Sequence, residues 1–411
     1  MVNDVVVVKF GGSCLSTPDN IMTAAKKLAV EAASGKRVVA VVSALGGETD
    51  KLLSLAQGST LHTASKEDLD DILAMGERTM VRLLATALKS QGVSAIAIDP
   101  TSSLWPVYTD AVFGSATVDL NVTKRAVTEK LLPLLAENRV PVVAGFLGQS
   151  PDGKITTLGR GGSDVSAVIL GRCLDAGEVI FVKDVGGVYS ADPKQVHDPQ
   201  KIDFLEAEEA YSLMSAGARV IHPKALTYKQ NSMNLRVVGF NAPDLRGGTL
   251  ITGEVQADLE IHLRPLSLSM ITVVALKADA LNELLSLLTD ALPSNTKIQG
   301  IAVTATSLLL YVENASHLVL SLHDMIKTQG LAKAIHCIDA VAMIEVSGVN
   351  LEQIPGVVDV VVSPLAREGI NLYGVLTISS SIKIFVPWSE RETAVSLIQT
   401  QLQKFKNQEE P

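Results

Sequence analysis

Residues 156–164 carry the densest group of side chains that could take part in chemistry. The segment holds three glycines together with Arg160, Ser163 and Asp164, just before a helical pattern that begins near Val165. Glycines let the backbone turn tightly and bring its N–H groups close to an anion, and a helix N-terminus adds positive potential. Arg160 offers a planar fork for a carboxylate or phosphate, and Asp164 could orient a metal or a cation. The alternative is a glycine-rich turn in which Asp164 caps the helix.

A second segment of this kind follows the apolar run at residues 5–8. Lys9 stands there close to Gly11 and Gly12, and a cation beside a glycine turn suits phosphoryl oxygens. Lys9 would stabilise negative charge on a transferring γ-phosphoryl group, while Asp164 could orient Lys9 or help to hold Mg²⁺. The sequence has no standard P-loop pattern and no well-placed dinucleotide fingerprint. The alternative for Lys9 is a strand-end lysine whose ammonium group reaches solvent.

The composition indicates a protein with a large aliphatic core. Hydrophobic residues make up 47% of the sequence and aromatic residues only 4%. The length of 411 residues predicts two or three domains. The net charge of −9 argues against nucleic acid as a bulk partner. It also means that an anionic substrate would need positively charged side chains concentrated at its site.

Widely separated cysteines (Cys14, Cys173 and Cys337) favour a reducing cytoplasm over a disulfide framework. Because no apolar run is long enough to span a bilayer, we expect a cytoplasmic protein without membrane contact.

Strands and helices alternate through the first 250 or so residues. Strands are predicted at residues 5–8, 38–42, 95–98, 140–145, 179–182 and 235–238, and helices at 18–34, 66–90, 123–137, 165–174 and 206–215. Gly76 interrupts the helical pattern of 66–90 and would need a packing or functional reason. The alternation predicts an open, mainly parallel sheet between helices. The glycine loops follow strand ends, where such sheets place their ligand crevice.

Beyond a boundary near residues 244–265 the sequence contains a weak internal repeat. Residues 270–273 are echoed by 343–346, and residues 307–312 are echoed by 381–386. Each half reads as a strand, a helix, two strands and a helix. We therefore expect a catalytic domain over residues 1–255 and a second region over 264–411. That region would hold two α+β units of βαββαβ type, at about 266–338 and 339–411, which could pack their sheets together.

Seven motifs, in this order, resemble the aspartate kinases of the amino-acid-kinase family. They are Lys9-Phe10-Gly11-Gly12, Val42-Ser43-Ala44, Gly76-Glu77, Gly145-Phe146-x-Gly148, the run from Thr157 to Asp164, Asp184-Val185-Gly186-Gly187-Val188-Tyr189-x-x-Asp192-Pro193, and Gly217-Ala218-Arg219-Val220-x-His222-Pro223. The two C-terminal halves resemble the ACT regulatory domains of that family. The resemblance implies the amino-acid-kinase fold followed by two ACT-like units.

The resemblance also implies a reaction and the residues that serve it. The reaction is phosphorylation of the L-aspartate side-chain carboxylate by ATP with Mg²⁺, the first step toward lysine, threonine and methionine. Lys9 and Asp164 would be catalytic, and no residue is assigned as a direct metal ligand. Ser43, Thr49, Phe146 and Ser163 would line the amino-acid pocket, with Glu77 on the α-ammonium group and Arg160 on the α-carboxylate. The implied ATP contacts are Lys9, Phe10, Gly11, Gly12, Lys183, Asp184, Tyr189, Lys194 and Arg219.

A few positions depart from the family pattern without removing an indispensable group. Ser13-Cys14 stands where Thr-Ser is usual, and Lys183 stands where many members have Thr. Lys194 and Arg219 exchange Arg and Lys relative to common forms, which keeps the charge but changes the fork geometry. Tyr189 could instead be a core aromatic residue and Ser43 a turn residue. His222 is interpreted as structural, because a carboxylate nucleophile needs no base.

The two ACT-like halves match their family unequally. The second half has a Pro-Gly opening at 355–356 and a Gly-Ile-Asn segment at 369–371, and the first half lacks both. The resemblance implies lysine or threonine as an effector at these units and a homodimer or higher oligomer through them. The alternative is a platform for dimerisation alone. Two rival functions are a kinase of glutamate or N-acetylglutamate and a catalytically silent amino-acid sensor.

Overall fold

The computed structural model describes ten stretches of the chain. They are residues 4–60, 63–255, 259–274, 297–304, 306–313, 315–330, 332–348, 351, 355–378 and 380–409. The chain divides into two compact units, Met1–Gln256 and Ala257–Pro411. None of the described helices is both long and apolar enough to cross a membrane.

An eight-stranded sheet runs through the first unit. Its strands are β1 (Val5–Phe10), β2 (Arg37–Val42), β3 (Ala95–Ile98), β4 (Val140–Ala144), β7 (Glu178–Lys183), β10 (Phe204–Glu206), β11 (Asn234–Gly239) and β12 (Thr249–Thr252), in the spatial order β10-β12-β11-β7-β1-β2-β4-β3. All six residues of β1 are buried, as expected of a valine-rich central strand covered on both faces. All six predicted strands are present. The strand predicted at 235–238, β11, is followed by β12, a strand that was not predicted and that pairs with β11 antiparallel.

Short hairpins and helices complete the first unit. The hairpin strands are β5 (Leu147–Gln149), β6 (Ile155–Thr157), β8 (Val188–Tyr189) and β9 (Lys201–Ile202), and the helices are α1 (Pro18–Ala33), α2 (Glu48–Ser59), α3 (Lys66–Ser90), α4 (Leu120–Lys130), α5 (Leu132–Ala136), α6 (Gly162–Cys173), α7 (Ala207–Ser215) and α8 (Pro223–Leu226). Thr17 caps α1, and its hydroxyl accepts the Asn20 N–H at 3.2 Å. The predicted helix at 123–137 is divided at Leu131, because Pro133 has no N–H to continue the ladder.

The second unit is built on one antiparallel sheet of seven strands. They are β13 (Glu260–Leu263), β14 (Leu268–Val274), β15 (Ile298–Val303), β16 (Ser307–Glu313), β17 (Ala334–Ser347), β18 (Gly374–Ile378) and β19 (Ser381–Pro387), with helices α9 (Ser316–Gln329), α10 (Val357–Arg367) and α11 (Arg391–Glu409). The spatial order is β15-β16-β14-β17-β19-β18, and β13 also pairs with β17. The repeated segments lie on corresponding strands, β14 with β17 and β16 with β19. The predicted helix after β14 falls at residues 275–296, outside the described part of the chain.

The long strand β17 joins the two halves of this sheet. It pairs with β14 from Ala334 to Val341 and with β19 from Val341 to Ser347. The strand β13, which precedes residue 266, pairs with the last residues of β17 and gives the second half its outer strand. The two sequence repeats therefore share one continuous hydrogen-bonded sheet, and the second half includes a strand that comes before the first half in the chain.

Candidate active site

A cavity of about 690 Å³ opens where β1, β2 and β4 end. Its wall comes from the β1 end, the loops after β2 and β4, helix α3 and the start of α6. The sequence-predicted residues in its lining are Lys9, Ser43, Thr49, Glu77, Phe146, Arg160, Ser163 and Asp164. The structure thus brings together in one cavity every residue predicted for the amino-acid pocket and both residues predicted to be catalytic.

Two lysines converge on one buried carboxylate beside this cavity. The Nζ atom of Lys9, near the end of β1, lies 2.7 Å from Oδ1 of Asp164. The Nζ atom of Lys183, the last residue of the neighbouring strand β7, lies 3.2 Å from both oxygens. The backbone N–H of His222 donates to Oδ2 at 3.1 Å. Because β1 and β7 are adjacent parallel strands, their ends deliver both ammonium groups to the same place.

The surroundings of Asp164 keep its carboxylate ionised. Burial alone would raise the pKa of Asp164, but the charges of Lys183 and Lys9 and a hydrogen bond from Lys9 outweigh burial and hold the pKa below its usual value. Burial, reinforced by the charge of Lys9 and opposed by Asp164, lowers the pKa of Lys183. Two ammonium groups around one carboxylate leave an excess of positive charge, which suits an anionic ligand.

The capping interpretation of Asp164 is wrong. Helix α6 begins at Gly162, so Asp164 lies in its first turn, and the cap is Gly161 in a left-handed conformation with φ of 74°. A Cβ added at Gly161 would lie 2.1 Å from Cγ of His222, so the close approach of that residue also requires glycine. The Asp164 side chain is directed to the two lysines instead of back to the helix N–H groups.

Glu77 presents a carboxylate oxygen without a hydrogen-bond partner. Oε1 accepts the Ala44 N–H at 3.0 Å, whereas Oε2 is buried and makes no such bond. Burial raises the pKa of Glu77 to about 7, although the Ala44 hydrogen bond and Lys9 oppose the shift. The packing reason for Gly76 is visible here, because a Cβ on it would lie 2.7 Å from Cβ of Ala44. A buried carboxylate with an open oxygen in a cavity wall suits a cationic ligand group.

The loop after β4 is held against α6 in a strained conformation. Phe146 has a φ of 68°, which is unusual for a residue with a side chain. Its N–H donates to Oγ of Ser166 at 3.0 Å, and that hydroxyl donates to the Gly162 carbonyl at 2.9 Å. A Cβ on Gly162 would lie 2.8 Å from the Phe146 ring. Strain of this kind persists where the surroundings fix it, often at functional sites.

The residues predicted to contact the nucleotide lie outside the lining of this cavity, apart from Lys9. The Phe10 side chain is fully buried in the core. Gly11 donates its N–H to the Val182 carbonyl at 3.3 Å, and the Gly12 carbonyl accepts the Gly46 N–H at 3.2 Å. Tyr189 is half-buried on β8, while Asp184, Lys194 and Arg219 are exposed. Lys183 reaches the cavity indirectly, through Asp164.

The sequence analysis missed two contributors to this site. Asp70 is a buried carboxylate of α3 in the cavity lining, and its available signal was a spacing of seven residues from Glu77, which returns to the same helix face. The backbone N–H of His222 contacts Asp164, and no sequence pattern identifies a backbone donor of that kind. Among the described residues no group of three or more His, Cys, Asp or Glu side chains is placed to hold a metal ion.

Comparison with known proteins identifies the family of the chain. The sequence model of the amino acid kinase family matches residues 4–239, and that of an ACT domain matches residues 325–400. The aspartokinase of Bacillus sp. (strain MGA3) is 31% identical over 407 residues, which cover 96% of each chain. The chain belongs to the aspartokinases of the amino acid kinase family. It is therefore a kinase, and the predicted amino-acid-kinase fold followed by a C-terminal ACT domain is confirmed.

Solved aspartate kinases share the fold. The enzyme from Synechocystis superposes with a TM-score of 0.76 at 24% identity and covers 96% of this chain and 69% of its own. Aspartokinase III of E. coli, in complex with aspartate and ADP, covers 97% of this chain and 99% of its own at 23% identity, with a TM-score of 0.57. The same E. coli enzyme, in complex with lysine and aspartate, gives a TM-score of 0.55.

Proposed function

We propose that the chain transfers the γ-phosphoryl group of ATP to the side-chain carboxylate of L-aspartate, giving 4-phospho-L-aspartate and ADP. The observation that carries the proposal is the buried carboxylate oxygen of Glu77 that has no hydrogen-bond partner, on a residue that lines the same cavity as Arg160 and the Lys9–Asp164 ion pair. The complex of E. coli aspartokinase III with aspartate and ADP supports it. The reaction would begin the biosynthesis of lysine, threonine and methionine.

The cavity residues define how the acceptor would bind. Glu77 accepts from the α-ammonium group of aspartate, and the guanidinium group of Arg160 pairs with the α-carboxylate through two parallel hydrogen bonds. With both α-substituents held, the side-chain carboxylate is directed toward Lys9. Ser43, Thr49, Phe146 and Ser163 shape the rest of the pocket. Holding the nucleophile in this way converts a bimolecular encounter into an oriented reaction.

Transfer then needs charge neutralisation more than proton movement. A side-chain carboxylate oxygen of aspartate forms a bond to the γ-phosphorus, while the bond to the β–γ bridging oxygen breaks and ADP leaves. The carboxylate is already ionised, so no general base is required. Lys9 stabilises the charge on the transferring group, and Lys183 adds a second ammonium group beside it. Asp164 holds both lysines through its ionised carboxylate.

The remaining predicted residues would serve the nucleotide. Phe10, Gly11 and Gly12 contribute backbone groups at the end of β1, and Tyr189, Lys194 and Arg219 approach from exposed segments. Bound Mg²⁺ would supply charge neutralisation for the phosphoryl oxygens of ATP. The exposed carboxylate of Asp184, directly after Lys183, supplies the oxygen donor that this ion prefers.

The second unit would carry regulation. A cavity of about 200 Å³ lies at the start of α10, with Gly356, Val357, Thr377 and Ser381 in its lining, a size that suits a small effector. Lysine or threonine is the proposed effector class, and the lysine complex of E. coli aspartokinase III supports it. Assembly into a homodimer or higher oligomer through these halves completes the proposal.

An ADP-release assay with three acceptors tests this function. We expect turnover with L-aspartate and little with L-glutamate or N-acetyl-L-glutamate, since the acetylated amine cannot pair with Glu77. Reactions without an acceptor measure background ATP hydrolysis. Turnover restricted to N-acetylglutamate would contradict the role of Glu77. If none of the three acceptors increased ATP consumption above the background, an amino-acid sensor would be favoured. Adding lysine or threonine to the aspartate reaction tests the proposed regulation.

A further inference from the structure

Asp70 is a buried carboxylate that the proposed phosphoryl transfer does not use. It lies on α3, seven residues before Glu77, and its residue is 1% exposed. Its Oδ2 atom accepts the N–H of Gly114 at 2.8 Å and the N–H of Thr157 at 2.9 Å. Its Oδ1 atom accepts the hydroxyl of Thr157 at 2.7 Å. Three donors converge on this side chain, so its charge is compensated by hydrogen bonds.

The donors belong to two different walls of the acceptor cavity. Gly114 is in the turn at residues 113–115, and Thr157 begins the loop that reaches Arg160 three residues later. The two walls also contact each other, because the Ala116 N–H donates to the Thr157 carbonyl at 2.8 Å. The Ser115 hydroxyl would lie 3.3 Å from a Cβ added at Gly159. Helix α3, the turn and the Arg160 loop therefore meet at Asp70.

We propose that Asp70 is a positioning residue that fixes the Arg160 loop against α3, and so sets the distance between the two groups that clamp the acceptor. The proposal rests on the proposed roles of Glu77 and Arg160. We call Asp70 and its three hydrogen bonds the brace. Asp70 and Glu77 lie on the same helix, α3, so the brace attaches the Arg160 loop to the helix that carries the ammonium site. Loss of the brace would let Arg160 move relative to Glu77 and weaken aspartate binding.

An ionised carboxylate suits this position better than an amide. It is an acceptor only, and all three neighbouring groups are donors. In Asp70→Asn the amide oxygen could still accept the N–H groups of Gly114 and Thr157. The amide NH₂ would then face the Thr157 hydroxyl, which donates a hydrogen bond to Asp70 in the wild type. The Thr157 hydroxyl would have to reverse its role. We expect Asn to keep the fold and lose part of the restraint on the loop.

The test compares steady-state kinetics of Asp70→Asn with those of Asp71→Asn, a control at the exposed neighbouring aspartate. We expect the KM for aspartate to rise about tenfold or more in Asp70→Asn, as small misplacements of positioning groups are costly. The KM for ATP should stay within about twofold, because the nucleotide residues are not held by this brace. Asp71→Asn should match the wild type in both constants.

A second variant keeps the proposal testable should Asp70→Asn fail to fold. Thr157→Val removes only the hydroxyl bond and should raise the KM for aspartate by a smaller factor than Asp70→Asn, again with little change for ATP. A purely structural role predicts lower thermal stability with equal changes for both substrates. Equal changes for both substrates, or an unchanged KM for aspartate in the variant that folds, overturns the proposal.

The wild-type enzyme separates this inference from the proposed function. Turnover of aspartate by the wild type with kinetically silent brace variants refutes only the role of Asp70. Absence of wild-type turnover refutes the proposed function. Calorimetric titration of aspartate into the wild type and Asp70→Asn then tests whether Asp70 supports aspartate binding. Weaker binding by the variant supports it, whereas equal binding, or none by the wild type, overturns it.

Discussion

The acceptor side and the nucleotide side of the proposed site are built differently. Acceptor residues share one cavity, in which Glu77 and the Lys9–Asp164 ion pair are buried, at 3%, 5% and 6% exposed, whereas Arg160 is exposed. On the nucleotide side, Asp184, Lys194 and Arg219 are exposed in loops between the helices and strands. Charges act more strongly in a desolvated site than at a surface, where solvent and salt screen them. We therefore expect substitutions at the buried groups to have larger effects than substitutions at the exposed ones.

The largest effect is expected for Lys9→Met. Removing the ammonium group proposed to face the transferring phosphoryl should lower kcat by a factor on the order of 10³, as for other groups aimed at developing charge. The protein should still fold, because Asp164 keeps its contact with Lys183. The measurement is ADP release at saturating substrates, with a thermal melt to verify folding. Lys26→Met, an exposed lysine of α1, is the matched control. A kcat close to that of the wild type would remove Lys9 from the transfer step.

A large and pH-dependent effect is expected at Glu77. Its pKa is raised to about 7, so in the free enzyme the carboxylate proposed to bind the α-ammonium group is progressively protonated as the pH falls below 7. The KM for aspartate should therefore rise toward about tenfold for each pH unit below 7 and level off above it. In Glu77→Gln the KM should be raised by about 100-fold, and the trend should vanish because the amide does not titrate. Initial rates from pH 5.5 to 8 test this, and an identical pH trend in the variant would assign the titration elsewhere.

The smallest effect is expected on the exposed nucleotide side. Arg219→Gln should raise the KM for ATP only a few-fold, about the value of a solvent-exposed charge pair, and leave the KM for aspartate unchanged. High salt should shrink the difference between variant and wild type. Rates at low and high ionic strength provide the measurement. A loss of activity as large as that expected for Lys9→Met, about 10³-fold, would mean that Arg219 becomes buried when the nucleotide binds. The contrast between the two sides would then fail.

The fold was predictable from sequence where its elements are long and periodic. Strands β1, β2 and β7 are continuous apolar runs, and α3 has a clear helical period, so both could be read locally. The two-residue strands β8 and β9 could not, since so few residues show no period. Strand β12, which lies between β10 and β11, was missed for a related reason. It has four residues and pairs with β11 through a long-range contact that no local pattern encodes.

The second unit shows the same limit at a larger scale. Its internal repeat predicted two similar halves, and the equivalent strands are present. The repeat could not predict that β17 would continue from one half into the other, or that β13 would join the second half from before residue 266. Strand pairing depends on which edges meet in space, and sequence order does not determine that.

By itself, the sequence determined which groups were available and where they stood along the chain. Lysine at the end of β1, a glutamate after a helical glycine and an arginine among glycines are local facts, and each follows a strand or lies on a helix that can be read from its neighbours. Only the tertiary structure decided what those groups contact. Asp164 pairs with lysines 155 and 19 residues away, and Glu77 keeps one oxygen open with a raised pKa. Asp70 meets donors 44 and 87 residues distant. Ion pairing and burial act through space, so the contacts of each carboxylate depend on the strand ends and loops packed around it.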